Sequence, residues 1–538
     1  MADSPDLSTS PCAPPVALWS NHARVEYGDF QTPPQAAADL CDELVRWGIR
    51  PHSILEPTCG RGNLLRAALN AFPNAAALGV ELNSAHLETC ASVLTREFPG
   101  RFELRCQDAF QLDWDAVIAR LEPPVLVLGN PPWVTNAALG VLKSGNLPPK
   151  TNLRGDPGLI ALTGGGNFDV SEWLLIRWLE ALARAETPGW LAMLVKTSVA
   201  RRVLSFAWRR RLPLVQTRLR PIDASLWFGA TVEAGLFVCA LGAENLRTRD
   251  WTDEHPRECP IVETLDSEMP PRRILGWRDH RLVADLEAYE RARPWLHPEG
   301  SKGEASWRSG IKHDCAAVME LIPLASLDGR GVSDGEVKGA WERSLPTRAW
   351  FRNGLGETVE LETEPLYPLL KGTEVARGQV EMPRRWVIVT QTRVGEPTER
   401  LRDAAPLVWS YLERHGARLD RRASSVYRNR SRFAVFGIGP YAFAPGKVAI
   451  SGLSKHARFV AVGSWMGKPV MFDDTVAFFA CEQLAHARCL AEALNAEAGR
   501  LALEGLICRD AKRPITIEIL NRLNLERLMA EAARARSK

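Results

Sequence analysis

Three acidic residues end three successive apolar stretches early in the chain: Glu56 in ILEPTCGRGNLL, Glu81 in GVEL and Asp108 in CQDAF. A strand that stops at an acid, then glycines, then a helix, lets main chain approach a nucleotide-like ligand at the carboxyl edge of a sheet. Glu81 follows the glycine turn by about twenty residues, where a carboxylate can accept both hydroxyls of a ribose. A glycine turn alone is commonly only a turn, and a single acid is commonly just solvated. Three acids at three successive strand ends point instead to one ligand cleft.

The tetrapeptide Asn130-Pro131-Pro132-Trp133 follows a further apolar run, VLVLG. Two prolines fix φ and remove two N–H donors, which leaves a stiff turn whose carbonyls are open to accept. Asn130 adds a side-chain acceptor and Trp133 a flat apolar face. Such a set can hold an amino group between two acceptors with its ring against the indole. Taken alone, the tetrapeptide reads as a proline corner over a core tryptophan; behind three acid-ended strands it reads as a site.

The elements that must position these residues alternate in type. Apolar residues at helical spacing from Pro34 to Trp47 precede the strand ILEPT, and LLRAALNAF, AHLETCASVLTREF and SEWLLIRWLEALARA have helical periods. ALGVEL, RFELRCQD, VLVLGN, GWLAMLVK and AGLFVCAL read as strands. That alternation predicts an α/β, doubly wound, Rossmann-like sheet over residues 25–245. Residues 1–24, rich in Pro, Ser and Ala, are expected to form a flexible tail. Residues 246–305, charged and broken by proline, read as a linker with peripheral elements. Short apolar runs such as RWVIVT and KVAISGL, then a helical C-terminal stretch, predict an α+β domain over 306–538.

Composition narrows the class. With 46% hydrophobic and 24% charged residues in 538, the chain has enough apolar material for real cores and too much for disorder. It contains no apolar run of about 18 residues that would span a membrane, and MADSPDLSTSPCAPP lacks the basic start and apolar stretch of a secretory signal. A cytoplasmic location is the expectation. Sixty-seven Lys and Arg against 64 Asp and Glu leave a net charge of +3, so only local distribution can indicate a nucleic-acid partner. Eleven scattered cysteines with no CxxC pair suggest neither a disulfide framework nor a zinc site.

FQTPP at 30–34, EPTCGRGN at 56–63, GVEL at 79–82, QDAF at 107–110 and GNPPW at 129–133 occur in the order seen in amino-group DNA methyltransferases of the gamma arrangement. The chain resembles the adenine-N6 methyltransferases of type II restriction-modification systems. It departs from their usual pattern in Cys59, where smaller residues are common, and in Trp133, where Tyr or Phe is more frequent. The resemblance implies an S-adenosylmethionine-dependent methyltransferase domain over 25–245 and a DNA target-recognition domain over 306–538. It implies that Thr32 and Pro33 close over the methionine end of the donor. Glu56 and Pro57, with the backbone from Cys59 through Gly60 to Gly62, would hold its amino-acid part, Glu81 its ribose and Asp108 its adenine. Asn130 and the Pro131 carbonyl would grip the target amine, with Pro132 stiffening the turn and Trp133 and Phe228 sandwiching the extruded base. Direct transfer of this kind uses no metal and no covalent enzyme intermediate. A separate cognate restriction endonuclease would complete the system.

Local charge supports a double-stranded DNA partner. Residues 201–220 hold seven arginines and no acid, and residues 414–432 hold seven more with Asp420 as their single acid and Tyr427 interleaved. Arginine suits phosphate contact and bidentate reading of guanine, although such a run is often only a solvated face. Arg421, Arg422, Arg428 and Arg430 are candidate DNA contacts, with Lys447, Ser451 and Lys455, and Lys371 near another turn of the same half. A cytosine-N4 methyltransferase would use the same acceptors on a different amine. A release-factor glutamine methyltransferase would not need the long second half. A non-catalytic DNA-binding subunit would have no physical reason to keep these acids.

Overall fold

The structure, a computed structural model, describes residues 30–134, 169–242, 257–297, 306–324 and 345–537. They fall into two units that divide between Leu286 and Glu287. The expected tail, 1–24, lies outside the described residues.

In the first unit, Pro34 opens helix α1 (Pro34–Arg46) at a position whose missing N–H would be unpaired anyway. Its buried residues Ala37, Leu40, Cys41 and Leu44 recur at helical spacing and form one apolar stripe. Strand β1 (Ser53–Glu56) is buried at all four positions, as a strand covered on both faces must be. Helix α2 (Asn63–Ala71), β2 (Ala76–Glu81), α3 (Ser84–Glu97), β3 (Phe102–Cys106), the short α4 (Trp114–Ile118) and β4 (Val125–Gly129) continue the alternation. Then come α5 (Val170–Arg184), β5 (Gly189–Lys196), α6 (Thr197–Arg209), β6 (Leu214–Ile222), the one-turn α7 (Ala224–Phe228) and β7 (Ala234–Leu241).

Beyond β7, β8 (Glu258–Ile261), β9 (Arg273–Arg278) and β10 (Arg281–Val283) extend the sheet to ten strands in the order β10-β9-β8-β6-β7-β5-β4-β1-β2-β3. Strands β3, β2, β1, β4 and β5 run parallel, while β7 is antiparallel to both β5 and β6. Chain order reverses between β1 and β4, which is the switch point where doubly wound sheets hold ligands. Glu56 and Glu81 are the last residues of β1 and β2, Asp108 lies two past β3, and Asn130 immediately follows β4. All four sit on one carboxyl edge.

Two expectations need correction. The stretch 246–305 is not a linker in its described part, because β8 to β10 add three strands to the sheet. The arginines of 201–220 are not one basic surface either. Arg202 pairs with buried Glu172, Arg220 pairs with Glu43 at 3.1 Å, and Arg218 donates to the Leu265 carbonyl while lying over the Trp47 ring. A helix and a strand turn these side chains inward to join α1, α5 and the segment after β8. Nine of the described cysteines are free.

The second unit is α+β, as expected. It carries a six-stranded and a four-stranded sheet around a core that includes Phe351, Trp386, Phe433 and Phe472, with helices at Pro406–Arg414, Leu484–Asn495, Glu497–Leu506 and Leu525–Arg536. Lys447, expected on a DNA surface, is instead 1% exposed on a central strand (Gly446–Ser451). Its ammonium donates to the Ala442 and Val470 carbonyls at 2.6 and 2.5 Å. Ser451 is likewise buried.

Burial lowers the Lys447 pKa from 10.5 to about 7. Above pH 7 the unfolded chain therefore binds a proton that the folded chain does not, so stability rises with pH until the free lysine value is reached. The stability of the parent relative to Lys447→Met is expected to climb between pH 7 and about 10, measured by denaturant unfolding at each pH. A pH-independent difference would contradict this assignment.

Candidate active site at the carboxyl edge of the sheet

A cleft of about 910 Å³, counted out to solvent, opens at the switch point. Its walls include Thr32, Glu56, Pro57, Cys59, Gly60, Glu81, Asp108, Asn130 and Pro132, so most of the expected donor-binding residues converge on one space. Four buried polar atoms without hydrogen-bond partners belong to its lining: Glu56 Oε2, Thr58 Oγ1, Asn83 Nδ2 and Asn130 Oδ1. Buried polar atoms are ordinarily satisfied, at a cost of about 1–3 kcal/mol each when they are not. Four in one cleft mark the contacts a polar ligand would complete.

Glu56 is 2% exposed, and its burial, reinforced by the neighbouring Cys90, raises its pKa well above the usual carboxylate value. A cationic ligand group beside it would reverse that shift. Glu81 is already oriented: Oε2 accepts the Gly60 N–H at 2.8 Å and Oε1 the Asn83 N–H at 2.9 Å. Asp108 is fixed in the same way by the Phe110 N–H at 2.9 Å and the Gln111 carboxamide at 3.0 Å.

The glycine turn differs from expectation. Its four N–H groups are all engaged: Cys59 with the Val80 carbonyl, Gly60 with Glu81, Arg61 with Gln31 Oε1 at 3.0 Å, and Gly62 with the Cys59 carbonyl. The turn offers a shape more than open donors, and only Arg61 is held by a movable side chain from outside it. Cys59 points inward, 4% exposed. Its pKa is raised by the hydrogen bond it donates to Cys90 and by burial. Gly62 lies above that pair with φ of 81°, and a Cβ there would come within 2.3 Å of Cys90 Sγ. Pro33 caps α1 and is not among the cleft residues.

At the tetrapeptide, Asn130 Nδ2 donates to the Phe30 carbonyl at 2.8 Å and approaches Thr32 Oγ1 at 3.4 Å. Those bonds fix the amide so that Oδ1 is the atom left to accept. Trp133 is 7% exposed, and its indole N–H is tied to the Leu194 carbonyl at 3.1 Å. The expected open sandwich is absent: the Trp133 and Phe228 rings meet edge to face with centroids 5.0 Å apart, whereas a base between them needs roughly 7 Å. Phe30 packs against both rings at 6.3 and 6.4 Å.

Sequence reasoning missed Phe30, Gln31, Thr58, Asn63 and Asn83 as cleft residues. Two signals were present: Phe30 and Gln31 stand in FQTPP, and Asn83 is the N-cap of α3 directly behind Glu81. In the second unit Arg421, Arg428, Arg430 and Lys455 are exposed. Arg422 is not available for DNA. It is half-buried, stacks 3.7 Å over the Tyr427 ring, and donates to the Leu419, Ala434 and Arg432 carbonyls.

No protein-family model matches the chain. The type II methyltransferase M.NspV of Nostoc sp. (strain ATCC 29411 / PCC 7524) is 39% identical over 504 residues, which cover 94% of this chain and 97% of that protein. Among solved structures, the type IIL restriction-modification enzyme MmeI in complex with DNA aligns over 93% of this chain at 13% identity with a TM-score of 0.48. The chain spans 65% of the length of MmeI. The methyltransferase subunit of a type I restriction-modification system from Streptococcus thermophilus aligns over 44% of this chain and 47% of its own, at 17% identity and a TM-score of 0.30.

The space beneath the glycine turn gives a direct test. Gly62→Ala combines a left-handed φ with a clash against buried Cys90. At Gly60, φ 52°, a Cβ meets only the Gln31 side chain, which can move. Gly62→Ala is expected to lower the melting temperature well beyond Gly60→Ala, read by calorimetry, and equal losses would contradict the packing described.

Proposed function

The chain belongs to the type II methyltransferases, the DNA methyltransferases of restriction-modification systems, and from that premise we propose that it methylates the N6 amino group of an adenine extruded from duplex DNA. The observation that carries the reading is Asn130: a buried side-chain oxygen with no partner, oriented by the Phe30 carbonyl, in a diproline turn at the switch point.

The cleft fits S-adenosylmethionine, which when bound supplies a methyl group on a sulfonium. Glu56, with its unpartnered Oε2, would take the ammonium of the donor, Glu81 the ribose hydroxyls and Asp108 the adenine amine. Gln31 would leave the Arg61 N–H to the carboxylate of the donor. Leu82, Phe110 and Leu174 add apolar walls for a flat ring.

The chain then has to make a poor nucleophile react. The lone pair of an exocyclic amine is delocalised into its ring. Asn130 Oδ1 and the Pro131 carbonyl, accepting its two N–H bonds, would favour a pyramidal nitrogen and stabilise the positive charge that grows as the methyl arrives. The amine of a stacked base cannot reach this point, so the base leaves the duplex, at a cost of a few kcal/mol. Trp133 is anchored by its indole N–H and Phe228 ends a one-turn helix followed by Gly229 at φ 65°. Phe228 is therefore the ring that swings away to admit the base and then stacks on it.

The second unit would be the target-recognition domain, with Arg421, Arg428, Arg430 and Lys455 toward DNA, and a separate endonuclease would cut unmodified sites. Cytosine N4 is the second reading, because the same two acceptors serve that amine. Nucleoside analysis of DNA treated with the enzyme separates the two.

Asn130→Ala is expected to abolish methyl transfer, by 100-fold or more on the roughly 10²–10³ scale for deleting one charge-stabilising group, while donor binding by calorimetry survives. Transfer near the parental rate would remove Asn130 from this role. Neutralising Arg421, Arg428 and Arg430 together is expected to weaken DNA binding and reduce the slope of log affinity against log salt by about 0.9 for each phosphate that is no longer neutralised. An unchanged slope would place the DNA surface elsewhere.

A further inference from the structure

Pro131 and Pro132 contribute no N–H, so whatever holds the tetrapeptide has to reach in from neighbouring elements. Asn130 Nδ2 ties its front to Phe30. The indole of Trp133 donates to Leu194 on β5, and the Val170 N–H at the start of α5 donates to the Val134 carbonyl at 2.9 Å. The remaining tie carries charge: Lys196, the last residue of β5, donates from Nζ to the Trp133 carbonyl at 2.9 Å.

The same ammonium lies 2.6 Å from Asp169 Oδ2, and the Ser171 hydroxyl donates to Asp169 Oδ1 at 2.6 Å. Asp169 is 2% exposed and the Lys196 side chain 18% exposed. Water screens such a pair poorly, and the carboxylate restricts where the ammonium can sit. Lys196 is not among the residues lining the donor cleft. It faces the main chain of the turn.

We infer that Lys196, held by Asp169, is a positioning residue that fixes the rear of the Asn130-Pro131-Pro132-Trp133 turn so that its two acceptors meet the target amine in line with the donor. The inference rests on the reading of that turn as the amine holder. A stiff corner keeps its own shape, but its placement relative to the cleft is set by its ties. A misplacement of about 1 Å costs as much as 100-fold in rate.

Removing Lys196 alone leaves a buried uncompensated carboxylate and threatens folding. The decisive variant is therefore the double Lys196→Met, Asp169→Asn, which removes both charges. It is expected to bind S-adenosylmethionine and duplex DNA like the parent, yet to transfer methyl roughly 10- to 100-fold more slowly in a single turnover. Lys196→Arg should recover part of that rate. The double Arg202→Met, Glu172→Gln, which likewise removes both charges of a buried pair, is the control. Arg202 pairs with buried Glu172 and so joins α6 to α5 close by, and loss of the pair should lower the melting temperature while leaving the single-turnover rate unchanged.

A parental rate in the Lys196→Met, Asp169→Asn variant, or an equal slowing in the Arg202→Met, Glu172→Gln control, overturns the inference. Asn130→Ala, assayed beside them, separates the two levels of argument. If it too transfers at the parental rate, the reading of the turn fails. If it is inactive while the Lys196→Met, Asp169→Asn variant is not, only the role of Lys196 fails.

Discussion

A four-residue turn with two prolines cannot hold itself. The constraint that organises this site is the absence of N–H groups at Pro131 and Pro132, which passes the work of placing Asn130 to surrounding elements. Segment 30–32 meets that need from the front and also spans the cleft. The Phe30 carbonyl takes the Asn130 amide, Gln31 covers the Arg61 N–H, and the Thr32 carbonyl takes the Asn63 side chain at 2.8 Å. One short strap thus joins the glycine turn to the turn that faces the target, so three consecutive residues place the two halves of the site relative to one another.

The cleft keeps its polar groups in two states. Glu81 and Asp108 are oriented by protein donors before any ligand arrives. Glu56 Oε2, Thr58 Oγ1, Asn83 Nδ2 and Asn130 Oδ1 are unpartnered. The first group fixes geometry in advance, which lowers the entropic cost of binding. The second is a reserve of unmet hydrogen bonds that a ligand satisfies, so the protein gives up some stability to gain affinity.

What could be read from the sequence follows from what each feature depends on. Alternating strands and helices, the acids at strand ends and the diproline turn are local patterns, and the sheet brings Glu56, Glu81, Asp108 and Asn130 to one edge as those patterns imply. The strap of Phe30 and Gln31 was visible in FQTPP, but its contacts are with residues thirty and a hundred positions away. The three strands after residue 257 were hidden because Arg273–Arg278 and Arg281–Val283 are short and charged. Their apolar residues are few in the sequence, yet Cys259, Ile261, Leu275 and Trp277 pack into the core of the first unit. The closed contact of Trp133 with Phe228 was also beyond reach, since an aromatic pair looks the same in sequence whether its rings are apart or touching.

Basic residues do not all face solvent, for a related physical reason. A guanidinium is as useful for tying carbonyls and carboxylates inside a protein as for meeting phosphate outside it. Arg202, Arg218 and Arg220 are used internally because a helix and a strand direct them at acids and carbonyls. Arg422 serves the irregular segment that follows Asp420, donating to four carbonyls and lying on Tyr427. By filling that interior it leaves Arg421, Arg428 and Arg430 on the outside. The chain there makes a short 3₁₀ turn at Ser425–Tyr427 and passes through Asn429 at φ 60°. The basic surface of this segment is therefore arranged around one half-buried arginine.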